Sequence, residues 1–170
     1  SYGIARCQCN FIDESNGQKL PGEFKYTNNE NLFFSFLSGE EFGGGSGAYM
    51  ICTEVFDKAY PDRNIYTERH PQNCQLLEPV FYLSKCITTH SKLINILVRS
   101  NSHSRFRKSY EDQLDDIDGY IDIHKNTLEN IPNMSYCDKI KYIKIVKNRY
   151  IRDKFTLAVN HNNKGDAKYF

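Results

Sequence analysis

Apolar and polar side chains alternate along the first dozen residues of the chain. Between residues 3 and 12, every second position is small, apolar or a cysteine: Ala5, Cys7, Cys9 and Phe11. The same period of two occurs between residues 150 and 160, at Phe155, Leu157 and Val159. A period of two is typical of a half-buried strand. We therefore predict strands in both segments, with the thiols of the first facing the core.

Short runs rich in β-branched and aromatic residues predict further strands, because such side chains favour a pleated, half-buried surface. These runs lie at 23–27, 31–38, 48–56, 80–83, 92–99, 120–124 and 139–147. Asn16-Gly17 predicts a turn after the first strand. Prolines at 61, 71 and 79 indicate that the segment between residue 56 and the strand at 80–83 is mostly loop.

A helix-capping pattern, in which a serine precedes an aspartate by three residues, occurs twice. The pairs are Ser109 with Asp112 and Ser135 with Asp138. The first predicts a short helix at 110–117, ended by Gly119. After the second, strong β preference leads us to interpret 139–147 as a strand. The expected fold class is mainly β, with one or two short helices.

Composition excludes some functions. The 170 residues include 22 Lys plus Arg and 21 Asp plus Glu, a formal net charge of +1. No long-range field then attracts nucleic acid or an acidic membrane. No run approaches the roughly 18 apolar residues of a membrane span. The start, Ser1-Tyr2-Gly3, lacks a methionine and the apolar core of a signal peptide, so a mature or trimmed form is expected.

Six widely spaced cysteines, with no CxxC pair, predict three disulfides in an exported, extracellular protein. They are Cys7, Cys9, Cys52, Cys74, Cys86 and Cys137. A bridge between neighbours two apart on a strand is excluded, which leaves about 12 of the 15 pairings open. Because five of the six precede residue 88, we divide the chain into a cysteine-rich N-terminal subdomain, 1–88, and a β-rich C-terminal subdomain, 89–170. The alternative is a cytosolic metal-binding protein with free thiols.

No complete catalytic or cofactor motif occurs, so no enzyme, cofactor or metal is expected. The glycine run 43–47 lacks the Lys-Ser/Thr that ends a phosphate-binding loop, and a hairpin loop is expected instead. Residues 114–125 imitate a calcium-binding loop but lack its first and twelfth ligands, which indicates an acidic turn. Four histidines without a ligand neighbour are expected to be exposed or packed: His90, His103, His124 and His161.

Glu68-Arg69-His70 is the densest catalytic-type triplet, since a carboxylate, a guanidinium and an imidazole can cleave RNA by acid and base action. On an extended chain the middle side chain points away from the other two. A secreted, ribonuclease-like hydrolase that uses Glu68 and His70 is therefore the alternative function.

Positive charge is concentrated in the second half, where an acidic partner or anionic glycan could bind. The candidate binding residues are Arg105, Arg107, Lys108, Lys141 and Lys144. The same lysines could instead protect an edge strand from aggregation. Asn133-Met134-Ser135 is a glycosylation sequon, which is compatible with export.

This layout resembles the small cysteine-rich effectors secreted by plant-pathogenic fungi, in particular the xylem-secreted dual-domain class. The likeness is carried by the five early cysteines and by the Ile-, Lys- and Asn-rich segments after the boundary. It implies a disulfide-bonded N-terminal domain, a β-sandwich-like C-terminal domain and a virulence role through binding a host protein, in some cases an immune receptor. Cys137 departs from the division, because its partner would lie in the first half. We expect a monomeric secreted effector.

Overall fold

Helices, rather than strands, make up most of the regular structure. In this computed structural model, residues 2–24, 26–40, 46–66, 73–99 and 109–170 are described. Of these residues, 54% are helical and 21% lie in strands. The prediction of a mainly β fold with a β-sandwich-like C-terminal part is therefore wrong.

The strands form one small sheet around its first strand. The strands are β1 (Tyr2–Asp13), β2 (Lys19–Leu20), β3 (Tyr49–Ile51) and β4 (Lys85–Val98). β4 runs parallel to β1 along its whole length, while β2 and β3 pair antiparallel with the ends of β1 on the other side. The predicted strands at 3–12 and 92–99 are confirmed in β1 and β4.

Six helices surround this sheet within the described part of the chain. They are α1 (Leu32–Ser38), α2 (Thr53–Ala59), α3 (Asn73–Leu83), α4 (Tyr110–Asn130), α5 (Tyr136–Asn160) and α6 (Lys164–Tyr169). The capping pattern of Ser109 and Asp112 is confirmed as a reciprocal capping box at the start of α4. The predicted end at Gly119 is wrong, since α4 continues for another three turns.

Most of the other strand predictions fall in helices. The segments 31–38, 80–83, 120–124, 139–147 and 150–160 lie in α1, α3, α4 and α5, and 48–56 contains only the three residues of β3 before α2 begins. The burial of α5 shows why, because Val146, Tyr150 and Ala158 are its buried residues and recur at spacings of four and eight. That is the period of a helix face. Packing of this face outweighs the weak β preference of its isoleucines.

Pro79 lies inside α3, where a loop had been expected. Proline has no N–H, so the carbonyl of Gln75, four residues earlier, loses its helical donor. The Tyr60 hydroxyl donates a hydrogen bond to that carbonyl and also lies 3.2 Å from the Leu76 carbonyl oxygen. A side chain from the loop after α2 thus replaces the missing backbone bond and fixes this loop against α3.

One core joins the sheet to helices from both halves of the chain. Its cluster includes Ile4, Leu37, Leu77, Leu128 and Val146. The boundary at residue 88 falls within β4. The division into two subdomains stays a prediction about independent folding.

All six cysteines are free thiols, so the prediction of three disulfides is wrong. Cys7, Cys9 and Cys86 are buried in the sheet, while Cys52 and Cys137 are exposed at the starts of α2 and α5. Cys137 in particular lies exposed at the start of a helix rather than on a strand facing the N-terminal part. Within the described residues, no helix is long and apolar enough to cross a membrane.

Candidate functional site

Three helices bring a thiol, a carboxylate, an imidazole and a phenol together. Cys74 and Glu78 lie one turn apart on α3, which places both side chains on the same face of that helix. His124 extends from α4 and Tyr150 from α5. Glu78 and His124 are 0% and 1% exposed, whereas Cys74 is only half-buried. The cluster is therefore reached through its sulfur.

His124 connects the cluster through both ring nitrogens. Its Nδ1 makes a short hydrogen bond with Glu78 Oε1. On the other side of the ring, Nε2 lies 2.9 Å from the Tyr150 hydroxyl and 3.7 Å from Cys74 Sγ. In the neutral form of the ring, Nδ1 donates its proton to the carboxylate and Nε2 accepts from the hydroxyl or the thiol. Cys74 is thus placed as a nucleophile, His124 as its base, and Glu78 as the group that orients the base.

Burial and charge act together on the buried pair. Burial is the largest influence on the pKa of His124 and lowers it, but the Glu78 carboxylate and the hydrogen bonds with Cys74 and Glu78 raise that pKa well above its usual value. Burial raises the pKa of the Glu78 carboxyl, against the opposing effect of His124. Both pKa values are raised, which favours states in which Glu78 and His124 together bind a proton. The imidazole can therefore carry a proton beside the sulfur of Cys74.

This pair predicts a stability that falls with rising pH. A group with a raised folded-state pKa stabilises the fold below its unfolded pKa, here 6.5 for His124, and loses that contribution as the pH rises through the folded value. Urea unfolding from pH 6 to 9 in reducing buffer should show a decline of up to about 1.4 kcal/mol per pH unit. Comparison with the Glu78→Leu/His124→Leu double variant isolates the pair from the thiols. If the free energy of unfolding had the same pH dependence in the native protein and in the double variant, the pair would not be the cause of the decline.

The same residues are the one group within the described chain that could hold a metal ion, since ligand atoms of Cys74, Glu78 and His124 lie within 4.8 Å of one another. An ion can bind only one nitrogen of an imidazole ring. Glu78 occupies the side of Nδ1, and Cys74 lies on the side of Nε2. An ion between the sulfur and Nε2 would leave the carboxylate in an outer shell and Tyr150 as the next oxygen. The arrangement fits a hydrogen-bonded relay better than a three-ligand metal site.

The sequence-predicted site residues lie elsewhere. Glu68, His70, Arg105, Arg107 and Lys108 are outside the described residues, as are positions 43–45 of the glycine run. Lys141 and Lys144 are exposed on α5, a helix rather than the expected edge strand. Residues 114–125 lie inside α4, so the expected acidic turn is wrong there as well.

Sequence reasoning missed Cys74, Glu78 and Tyr150, and assigned His124 only as exposed or packed. The spacing of four between Cys74 and Glu78 was the available signal, but it has meaning only on a helix. The prolines at 71 and 79 pointed to a loop there. His124 lies fifty residues from Cys74, and no local motif connects the two.

Comparison with known proteins gives no relative: no family model, curated protein or solved structure matches the chain. The likeness to fungal effectors and the extracellular location stay predictions, and the disulfides that supported them are absent among the six cysteines.

Proposed function

We propose that the protein is a thiol-dependent acyl-transfer enzyme, a hydrolase or transferase of esters, thioesters or amides. The observation that carries this proposal is the line from Cys74 Sγ through both nitrogens of His124 to the buried Glu78 carboxylate. A nucleophile, its base and the group that orients the base are what this chemistry needs.

In the first half of the reaction, Cys74 Sγ forms a bond to the acyl carbon and the thiol proton passes to His124 Nε2. The bond from the acyl carbon to the leaving group breaks as His124 returns the proton to that group. In the second half, water attacks the thioester and His124 takes a proton from the water. The bond from the acyl carbon to Cys74 Sγ then breaks, His124 returns the proton to the sulfur, and the carboxylic acid is released. Glu78 holds Nδ1–H throughout, which fixes the ring and stabilises the imidazolium.

The burial of Glu78 is a further argument. One carboxylate oxygen, Oε2, has no hydrogen-bond partner within the described residues. A buried carboxylate that is incompletely paired costs stability, and such groups are concentrated at functional sites. A role in orienting His124 gives a reason for a buried acid at this position.

The other functions have less support from the described residues. The ribonuclease alternative depends on Glu68 and His70, which lie outside them. Binding of a host protein by a secreted effector rested on the disulfide layout, and it stays a prediction.

Alkylation of the native protein tests the proposal. With limiting iodoacetamide at pH 7 and mass spectrometry of the peptides, we expect Cys74 to react at least about tenfold faster than Cys52 or Cys137, because His124 Nε2 lies 3.7 Å from Cys74 Sγ and can accept the thiol proton as the sulfur attacks. The two reference thiols are exposed, so accessibility alone would give the opposite order.

Two results would contradict the proposal. One is a Cys74 that reacts no faster than Cys52 and Cys137 in the folded protein. The other is stoichiometric zinc in native protein that blocks alkylation of Cys74 until a chelator removes it, which would assign the cluster to metal binding.

A further inference from the structure

A second feature lies beside the cluster of Cys74, Glu78 and His124, on α3 and α4. A cavity of about 330 Å3 opens between the loop after α2 and helices α3 and α4. This is within the size range of small-molecule sites. Polar side chains supply much of its lining, including Asp62, Asn64, Gln75, Asn126, Thr127 and Asn130.

Two of these side chains are buried with polar atoms that lack a partner. Gln75 is 2% exposed, and neither its Nε2 nor its Oε1 has a hydrogen-bond partner among the described residues. Thr127 is 5% exposed, and its Oγ1 also has no hydrogen-bond partner among the described residues. Buried polar atoms are almost always paired, and leaving them unpaired is unfavourable. A group outside the described chain, whether a ligand or an ordered water, can complete these bonds.

The walls around these atoms are fixed by other contacts. The Tyr60 hydroxyl holds the backbone of α3 at Gln75, as described above. Asn126 Nδ2 donates to the Tyr66 hydroxyl at 3.4 Å, and Asn130 Nδ2 donates to the Asn126 carbonyl at 2.7 Å. Gln75 and Thr127 thus line a cavity whose shape is set by its neighbours.

We propose that this cavity binds an uncharged ligand through a primary carboxamide group, such as the side chain of asparagine or glutamine. The Gln75 amide offers a donor and an acceptor in one plane, and a second primary carboxamide, whose N–H and C=O point to the same side, can satisfy both with two parallel hydrogen bonds. Among the described lining residues Asp62 alone carries charge, and none of them is a cation that could receive a nucleotide phosphate.

The inference does not depend on thiol chemistry. It rests on the cavity and its unpaired atoms, and it stands whether or not Cys74 is a nucleophile.

A nuclear magnetic resonance titration tests it. N-acetylglycinamide is added to 15N-labelled protein, and the side-chain NH2 signals of Gln75 are assigned by their loss in Gln75→Met. We expect saturable shifts of these signals with an affinity in about the millimolar range, as for any ligand of this size. N-acetylglycine methyl ester lacks the second donor and is expected to bind about tenfold more weakly.

Variants separate the cavity from unspecific effects. Gln75→Met should weaken binding about ten- to a hundredfold, and Thr127→Val less, whereas Gln18→Met, the same change in an exposed turn, should leave it unchanged. Because methionine removes two unpaired buried atoms, Gln75→Met should unfold at the same or a higher urea concentration than the native protein. A marked loss of stability would show that the amide is paired within the protein and would overturn the inference.

Three binding results would also overturn it. They are the absence of saturable shifts at the cavity up to tens of millimolar, roughly the weak limit for fragments; equal binding of amide and ester; and preferential binding of methyl glucoside or adenosine. A crystal structure grown with N-acetylglycinamide that shows only ordered water at the Gln75 amide would also overturn the inference.

Discussion

Ester hydrolysis by the native protein is expected to fall about 10²–10⁴-fold when His124 is replaced by alanine. The reason is that Nε2 is the base that lies beside Cys74 Sγ, at 3.7 Å. The measurement is the release of nitrophenolate from p-nitrophenyl acetate, with Cys74→Ser defining the rate that does not depend on the thiol. His90→Ala removes an exposed histidine from β4 and should leave the rate unchanged.

Tyr150→Phe makes this experiment more specific. The Tyr150 hydroxyl lies 2.9 Å from the same nitrogen and shares it with the thiol. Phenylalanine keeps the aromatic ring, whose centroid lies 5.5 Å from that of the His124 ring, but removes the hydroxyl. We expect a change of less than about tenfold, because the base itself is retained. If His124→Ala and His90→Ala had the same rate, or Cys74→Ser the rate of the native protein, the cluster would not be an acyl-transfer site.

The parts of the fold that could be predicted from the sequence are those with local causes. The strand at 3–12 has a period of two, and the start of α4 has a serine and an aspartate at capping spacing. Both signals act within a few residues and survive in the structure. The glycine at 119 was a weaker signal, because a single glycine within a long helix costs only about 1 kcal/mol.

The helix α5 could not be predicted in the same way. Its isoleucines favour strands when considered one by one. The helix is stabilised by a face of Val146, Tyr150 and Ala158 that packs on other elements, and this face is visible in the sequence only when the partners are known. Tertiary packing outweighs intrinsic preference here.

The candidate site was beyond sequence reasoning for a related reason. Its residues come from three helices, of which local patterns predicted only the start of α4. Cysteine spacing pointed to disulfides, yet the functional meaning of Cys74 depends on a histidine fifty positions later. A thiol, an acid and an imidazole become a catalytic arrangement only when the fold fixes their distances.

The largest loss of stability is expected from Glu78→Leu. The substitution leaves His124 Nδ1 buried without the carboxylate that accepts its proton, and breaking one side of a buried pair costs about 3–5 kcal/mol. For a chain of this length, the melting temperature should fall by roughly 10 °C or more. Glu129→Leu, the same change at an exposed position of α4, should stay within about 0.5 kcal/mol of the native protein.

The double variant Glu78→Leu/His124→Leu distinguishes pairing from packing. Replacing both members of a buried pair by apolar side chains of similar size is often neutral or stabilising, so the double variant should recover most of the stability that the single variant loses. Urea unfolding of the native protein, Glu78→Leu, His124→Leu and the double variant in reducing buffer gives the coupling free energy of the pair. A loss below about 1 kcal/mol in Glu78→Leu, or a double variant as unstable as the sum of its parts, would mean that Glu78 and His124 do not act as a buried pair. In that case, Glu78 would have no means of orienting the imidazole, and the relay to Cys74 would lose its third member.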